Sequence, residues 1–167
     1  EFPMHRTHLL QPMDHIRDVL GRMLDATPIE HWLHQPVPGA NHVAWTLGHL
    51  AWADDLVFRT IQGDAGGLPD PADWQTRFGW GSVPATTWDD APSAETLRRT
   101  CEERRRVLRD WLLALPESRL EEPPPGDLAG WFPCYGVLPA ALAHHDAMHV
   151  GQLQVVRKHL GLAPVFA

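Results

Sequence analysis

Between residues 8 and 26 apolar side chains recur at steps of three and four: Leu9, Met13, Ile16, Leu20, Met23 and Leu24. That spacing predicts one apolar stripe on a helix of 3.6 residues per turn. Thr27 followed by Pro28 ends it, because the residue before proline is pushed out of the helical region. A second helix is predicted over 41–63, with Asn41 as N-cap and Gly63 as C-terminal cap. Its inward stripe reads His42, Trp45, His49, Trp52 and Leu56. Ser93 and Glu95, just after Pro92, open a third helix whose stripe is Leu97, Cys101, Leu108, Trp111, Leu112 and Leu115, and Pro116 stops it. Its middle, residues 101–110, is dense in Glu and Arg and reads as a solvated charged face. The fourth helix begins near 136–139, where Pro139 suits a first turn, and runs to Gly161. Leu138, Leu142, His145, His149, then Gln152 or Leu153, and Val156 share one of its faces.

No run of period-two alternation bounded by turn residues interrupts this pattern. The expected fold is therefore all-α: a single four-helix-bundle domain over 5–161, with Glu1, Phe2 and Pro3 read as a cloning remnant. Sites in such bundles are built from side chains that facing helices project into the core. The connection between the second and third helices, 62–92, is long and holds Trp74, Phe78, Trp80 and Trp88 among glycines and prolines. Structureless connections of that length are uncommon unless functional. It is either a wrap whose aromatics patch the outside of the bundle or a lid over one end of the core.

Charge narrows the partners. The chain carries a formal charge of −7 with its arginines scattered, so a broad basic face for nucleic acid is not expected. No stretch approaches the ~20 apolar residues of a membrane span, and no signal peptide is evident at the N-terminus, so a cytoplasmic protein is expected. Cys101 and Cys134 are too few for a disulfide framework and suit a reducing compartment.

The eleven histidines are what this composition leaves to explain. His145 and His149 stand four apart on one helix face, so both rings can reach a single ion. A third ligand has to come from a facing helix. His49, mid-helix on an otherwise apolar stripe, is the best candidate, because an uncompensated imidazole is costly there. His42 lies two turns, about 10.5 Å, from His49 and cannot share its ion; at the first turn of its helix it is expected to be solvated. The string from His145 to His149 departs from the zinc-protease H-E-x-x-H helix: Asp146 stands where Glu would act as base, and no third ligand follows. A carboxylate-bridged di-iron centre is excluded because the second and fourth helices contain no Glu. What remains is a mononuclear site of three neutral imidazoles with an open position, suited to Zn²⁺, Ni²⁺ or Fe²⁺. Gln152 and Asp146 are candidate assisting residues around it, and Trp45, Trp80 and Arg77 candidate substrate contacts. His5, His8, His31, His34, His144 and His159 read as surface or helix-end residues, and His15 as structural.

The run 36–51, which contains Gly48, His49, Leu50 and Ala51, is followed about 95 residues later by His145, Asp146, Ala147, Met148, His149, Val150, Gly151 and Gln152, and then Arg157. Together they resemble the DinB-like (YfiT-like) superfamily of four-helix-bundle metalloproteins, marked by a "GHLA"-like segment in the second helix and HxxxHxxQ in the fourth. The resemblance implies a zinc or nickel site of His49, His145 and His149, often in a homodimer. It implies enzymes that use a low-molecular-weight thiol such as bacillithiol or mycothiol, or hydrolases. Met148 departs from the polar residue relatives often carry, and no thiol-recognition motif is matched.

Three functions follow as expectations. The leading one is a metal-dependent S-transferase or related hydrolase that acts on a small-molecule substrate held under the 62–92 connection. The alternative is a non-catalytic bundle that binds a metal or small molecule, as a stress-related sensor or dimer module. The third is a bundle whose histidines only stabilise its core.

Overall fold

The computed structural model describes residues 6–63, 67–68 and 70–166; His5 and the proposed remnant lie outside them. The described residues form helices and short 3₁₀ turns with no strand. The helices are α1 (Arg6–Asp25), α2 (Val43–Gln62), α3 (Pro71–Phe78), α4 (Ala94–Ala114) and α5 (Leu138–His159). Four of them are the expected ones. Ser93 caps α4 by accepting from the Thr96 backbone N–H, and Gly63 ends α2 at φ 74°, a backbone only glycine adopts without strain.

α2 is the central helix. Every residue from Val43 to Trp52 is buried, as expected for a helix apolar nearly all round. It packs chiefly on α4, while α1 packs on α5. The start of α2 meets the start of α4 (Leu47 and Leu50 with Leu97), and the end of α1 meets the end of α5 (Leu20 and Leu24 with Leu153) in one core cluster. At the other end Leu10 and Met13 of α1 share a cluster with Leu138 and Leu142 of α5. Each pair is therefore parallel, and the pairs run opposite to one another. A parallel α2–α4 pair needs a connection that climbs back the length of a 20-residue helix, about 30 Å at 1.5 Å per residue. That requirement accounts for the length of 62–92.

Three expectations about the elements are corrected. α2 starts one residue later than expected: His42, not Asn41, is its N-cap, and the His42 ring accepts from the Trp45 backbone N–H. His42 is not solvated but 1 % exposed, with its Nε2 2.7 Å from the Ala85 carbonyl. The long connection is not structureless, since it contains α3, which Asp70 caps through the Asp73 N–H and whose Trp74 and Phe78 are buried.

The largest correction is to the charged middle of α4, which is not a solvated face: Arg104 and Arg105 are buried. Arg105 pairs through Nε and Nη2 with Asp54 at 2.9 and 2.8 Å and reaches Asp146 at 3.1 Å. Arg17 binds Asp146 at 2.6 Å and Asp54 at 2.9 Å. The four partners come from four different helices, so a buried ring of two arginines and two aspartates ties α1, α2, α4 and α5 together at mid-height. Among the described residues no helix is long and apolar enough to cross a membrane.

Candidate metal centre

The sequence sets His49 five residues before Asp54 on α2 and His145 and His149 on successive turns of α5. The fold brings all three together across the α2–α5 seam. His145 Nε2 lies 3.2 Å from His49 Nε2 and 3.2 Å from His149 Nε2. The three form a group whose ligand atoms all fall within 4.8 Å of one another and which could hold a metal ion. A tetrahedral ion with nitrogens at 2.0–2.1 Å needs them about 3.3–3.4 Å apart, so the two separations from His145 are close to what such an ion requires.

The far nitrogens decide which lone pairs point inward. His49 Nδ1 is 2.7 Å from the Phe78 carbonyl, which can only accept. The proton must therefore sit on Nδ1, and Nε2 presents its lone pair. His149 Nδ1 is 3.1 Å from Gln152 Oε1, and Asn41 Nδ2 donates to the same oxygen at 3.3 Å, which fixes that oxygen as an acceptor. His145 has no such anchor: its Nδ1 is 4.0 Å from Asp146, and its side chain is 27 % exposed. Orienting partners of this kind hold a ligand's tautomer and ring plane.

Burial keeps the three rings neutral. It pushes His145 and His149 down to about 4 from the usual 6.5, and the nearby imidazoles of the triad add to that. His49 is lowered by burial as well, against its bond to Phe78. Neutral imidazoles are the form that binds a metal. Their donor type and spacing thus fit a divalent ion of intermediate softness such as Zn²⁺, Ni²⁺ or Fe²⁺.

Aromatic rings wall the centre. Trp45 stacks on His49 with centroids 4.6 Å apart, and Trp52 stands 5.4 Å from the same ring. Gly48 explains how α3 fits here: a Cβ at that position would lie 2.3 Å from the Phe78 ring. Only a residue without a side chain lets Phe78 settle on α2 and bring its carbonyl to His49.

Gln152 touches the His149 ring. Asp146 is 0 % exposed and spends its oxygens on Arg17 and Arg105. Trp80 packs edge-on against Trp52 at 5.1 Å and is 65 % exposed at the surface. Arg77 binds Asp73 and the Asp90 carbonyl, and with Trp45 and His42 it lines a void of ≈ 40 Å³. Cys101 is buried, takes a contact from Arg17 Nη1 at 2.8 Å, and burial raises its thiol to about 11. His15 and His144 are exposed, and His34 bridges to His159 at 2.8 Å.

Sequence reasoning missed the Phe78 carbonyl, Trp52 as a wall, and the arginine–aspartate ring beside Asp146. Asp54 and Asp55, consecutive acids in an otherwise apolar helix, were the visible signal for the last. A family model described as the DinB superfamily matches residues 13–153, which include all three histidines and Gln152. No curated protein and no solved structure matches the chain.

Proposed function

The chain belongs to the DinB superfamily, and from that premise we propose that His49, His145 and His149 hold one divalent metal ion at the centre of a small-molecule S-transferase. The observation that carries the reading is the convergence of three Nε2 atoms whose inward lone pairs are set, at His49 and His149, by the Phe78 carbonyl and Gln152. A bound divalent ion supplies Lewis acidity, which lets a thiol of ordinary pKa ~8.5 react in its thiolate form at neutral pH.

What the chain's own residues do supports thiol transfer over hydrolysis. The carboxylate nearest the triad, Asp146, is locked between Arg17 and Arg105 and stands 4.0 Å from His145 Nδ1. It is therefore not free to serve as a general base for water. A bound thiol would give its proton to solvent, and from an ordinary pKa of ~8.5 it would need less help than water at ~15.7. Cys101 is not the nucleophile, because burial holds it protonated and Arg17 occupies its sulfur. The thiol has to be a small cosubstrate, and the electrophile is a small molecule that enters on the side of half-exposed His145. Trp45 and Trp52 orient His49, and exposed Trp80, packed on Trp52, is the proposed cover for an entering molecule.

The test mixes metal-loaded protein with a panel of low-molecular-weight thiols and a chloro-nitrobenzene, and follows chloride release together with thiol loss. Consumption with one or more thiols by the wild type and background rates with His49→Ala are expected. Equal rates in the two proteins would overturn the proposal. Ester hydrolysis without any thiol requirement would replace S-transfer with the hydrolase reading.

A further inference from the structure

One face of α2 is bonded rung by rung to the connection that follows it. His42 Nε2 lies 2.7 Å from the Ala85 carbonyl, and Trp45 Nε1 donates to Ser82 Oγ at 2.9 Å. His49 Nδ1 lies 2.7 Å from the Phe78 carbonyl, and Trp52 Nε1 donates to Gln75 Oε1 at 2.9 Å. A carbonyl can only accept, and His42 Nδ1 already accepts from the Trp45 backbone N–H, so His42 donates from Nε2 as His49 does from Nδ1. In all four rungs the donor belongs to α2 and the acceptor to 75–85. The steps along α2 are three, four and three residues, which keeps the donors on one helix face. Gln75, Phe78, Ser82 and Ala85 repeat those steps in reverse order. The segment is thus an antiparallel strap on α2, and three further rungs hold the one at His49 in register.

The strap's own residues set that register. Trp74 and Phe78 are the buried face of α3, and a Cβ at Gly79 would run into the Gln75 amide and carbonyl. The Ser82 N–H donates to the Gly79 carbonyl at 3.2 Å. Between them Gly81, at φ 77°, takes the left-handed position that such a turn reserves for glycine. Trp80 stands at the tip of this turn, which accounts for its exposure, and packs edge-on against Trp52. One register therefore both aims the Phe78 carbonyl at His49 and seats the proposed cover.

A carbonyl on a connection orients a ligand only as well as the connection itself is held. Gln75 and Ser82 supply the two side-chain acceptors, and they bond to Trp52 and Trp45 rather than to a histidine. We propose that Gln75 and Ser82 are positioning residues for the metal centre: they fix the strap on α2, and the strap's Phe78 carbonyl keeps the His49 proton on Nδ1 and its Nε2 lone pair free for the ion. The consequence for metal binding rests on the reading of the triad as a metal centre, whereas the consequence for the His49 tautomer does not.

The experiment compares wild type with Gln75→Ala, Ser82→Ala and the double variant. Gln75→Glu and Ser82→Thr are the rescues, since each keeps an oxygen acceptor. Thr76→Ala is the control, because the Thr76 hydroxyl bonds the Ala72 carbonyl within α3 and not α2. Long-range proton–nitrogen NMR spectra of chelated protein at neutral pH read which His49 nitrogen carries the proton, and a competition titration reads Zn²⁺ affinity.

Wild-type His49 is expected to be protonated at Nδ1, and the double variant to show a mixture of the two tautomers. Each single alanine should weaken Zn²⁺ binding about three- to tenfold, the range for losing one ordinary hydrogen bond, and the double variant should weaken it further. The rescues and Thr76→Ala should stay within about twofold of wild type, less than such a bond is worth. Wild-type Zn²⁺ affinity or an undisturbed Nδ1 tautomer in the double variant would overturn the proposal, and so would an equal loss of affinity in Thr76→Ala. A wild type that binds no Zn²⁺ would overturn the metal reading instead, and the His49 tautomer in the double variant would then decide the role of the strap.

Discussion

Three residues of one type do different work in the centre because their far nitrogens meet different partners. His49 is fixed by a backbone carbonyl, His149 by a side-chain amide, and His145 by neither. Removing an orienting partner typically lowers metal affinity 10–100-fold. Gln152→Ala is therefore expected to weaken Zn²⁺ binding by that factor in a competition titration, while Gln152→Glu, which keeps an acceptor, retains most of it. Undiminished affinity in Gln152→Ala would show that Gln152 does not orient His149. The same rings set a pH dependence in metal-free protein. Folded His145 and His149 take up protons only near 4, against 6.5 for an unperturbed imidazole. Between those values the unfolded chain binds more protons than the folded one, so stability rises with pH there. The contribution of these rings is full above about pH 6.5, falls on acidification and levels off below about pH 4. Urea midpoints of chelated protein should drop between about pH 7 and about pH 5; equal midpoints would mean the rings are not desolvated.

The helices were legible where periodicity was long. The apolar stripes of α1, α2, α4 and α5 and the Ser93 cap all stand in the sequence, and so do the histidine positions, because an i, i+4 pair and an imidazole on an apolar stripe are local patterns. α3 was hidden by its length, eight residues, although Asp70, Pro71 and the Trp74–Phe78 spacing are its cap and its buried face. The His49 anchor was beyond sequence reasoning, since it is a backbone carbonyl delivered by that unrecognised helix. Gly48 is where the two meet. Gly48→Ala puts a methyl group into the Phe78 ring, an overpacking that typically costs 1–3 kcal/mol and outweighs the gain in helix propensity. A lower Tm together with weaker Zn²⁺ binding is expected. A Tm unchanged or raised would show that α3 is not seated against Gly48.

Across the whole molecule the buried ring of Arg17, Arg105, Asp54 and Asp146 links all four long helices. Its partners are 37 to 129 residues apart, so no local pattern in α4 could show that its central arginines point inward. Taking one member from such a buried set leaves the others uncompensated, which typically costs 3–5 kcal/mol. Asp54→Asn is expected to lose about that much in urea denaturation, and a loss below ~1 kcal/mol would mean the ring is solvated. The ring also confines Asp146, and in doing so leaves the three histidines as the chemistry on the α2–α5 seam. That seam is the centre of the account. Its most direct test is the metal content, by elemental mass spectrometry, of protein purified without a polyhistidine tag after growth in metal-supplemented medium. One equivalent of a divalent transition metal per chain is expected, lost in His149→Ala and kept in His42→Ala. A metal-free wild type, or a metal that survives in His149→Ala, would contradict it.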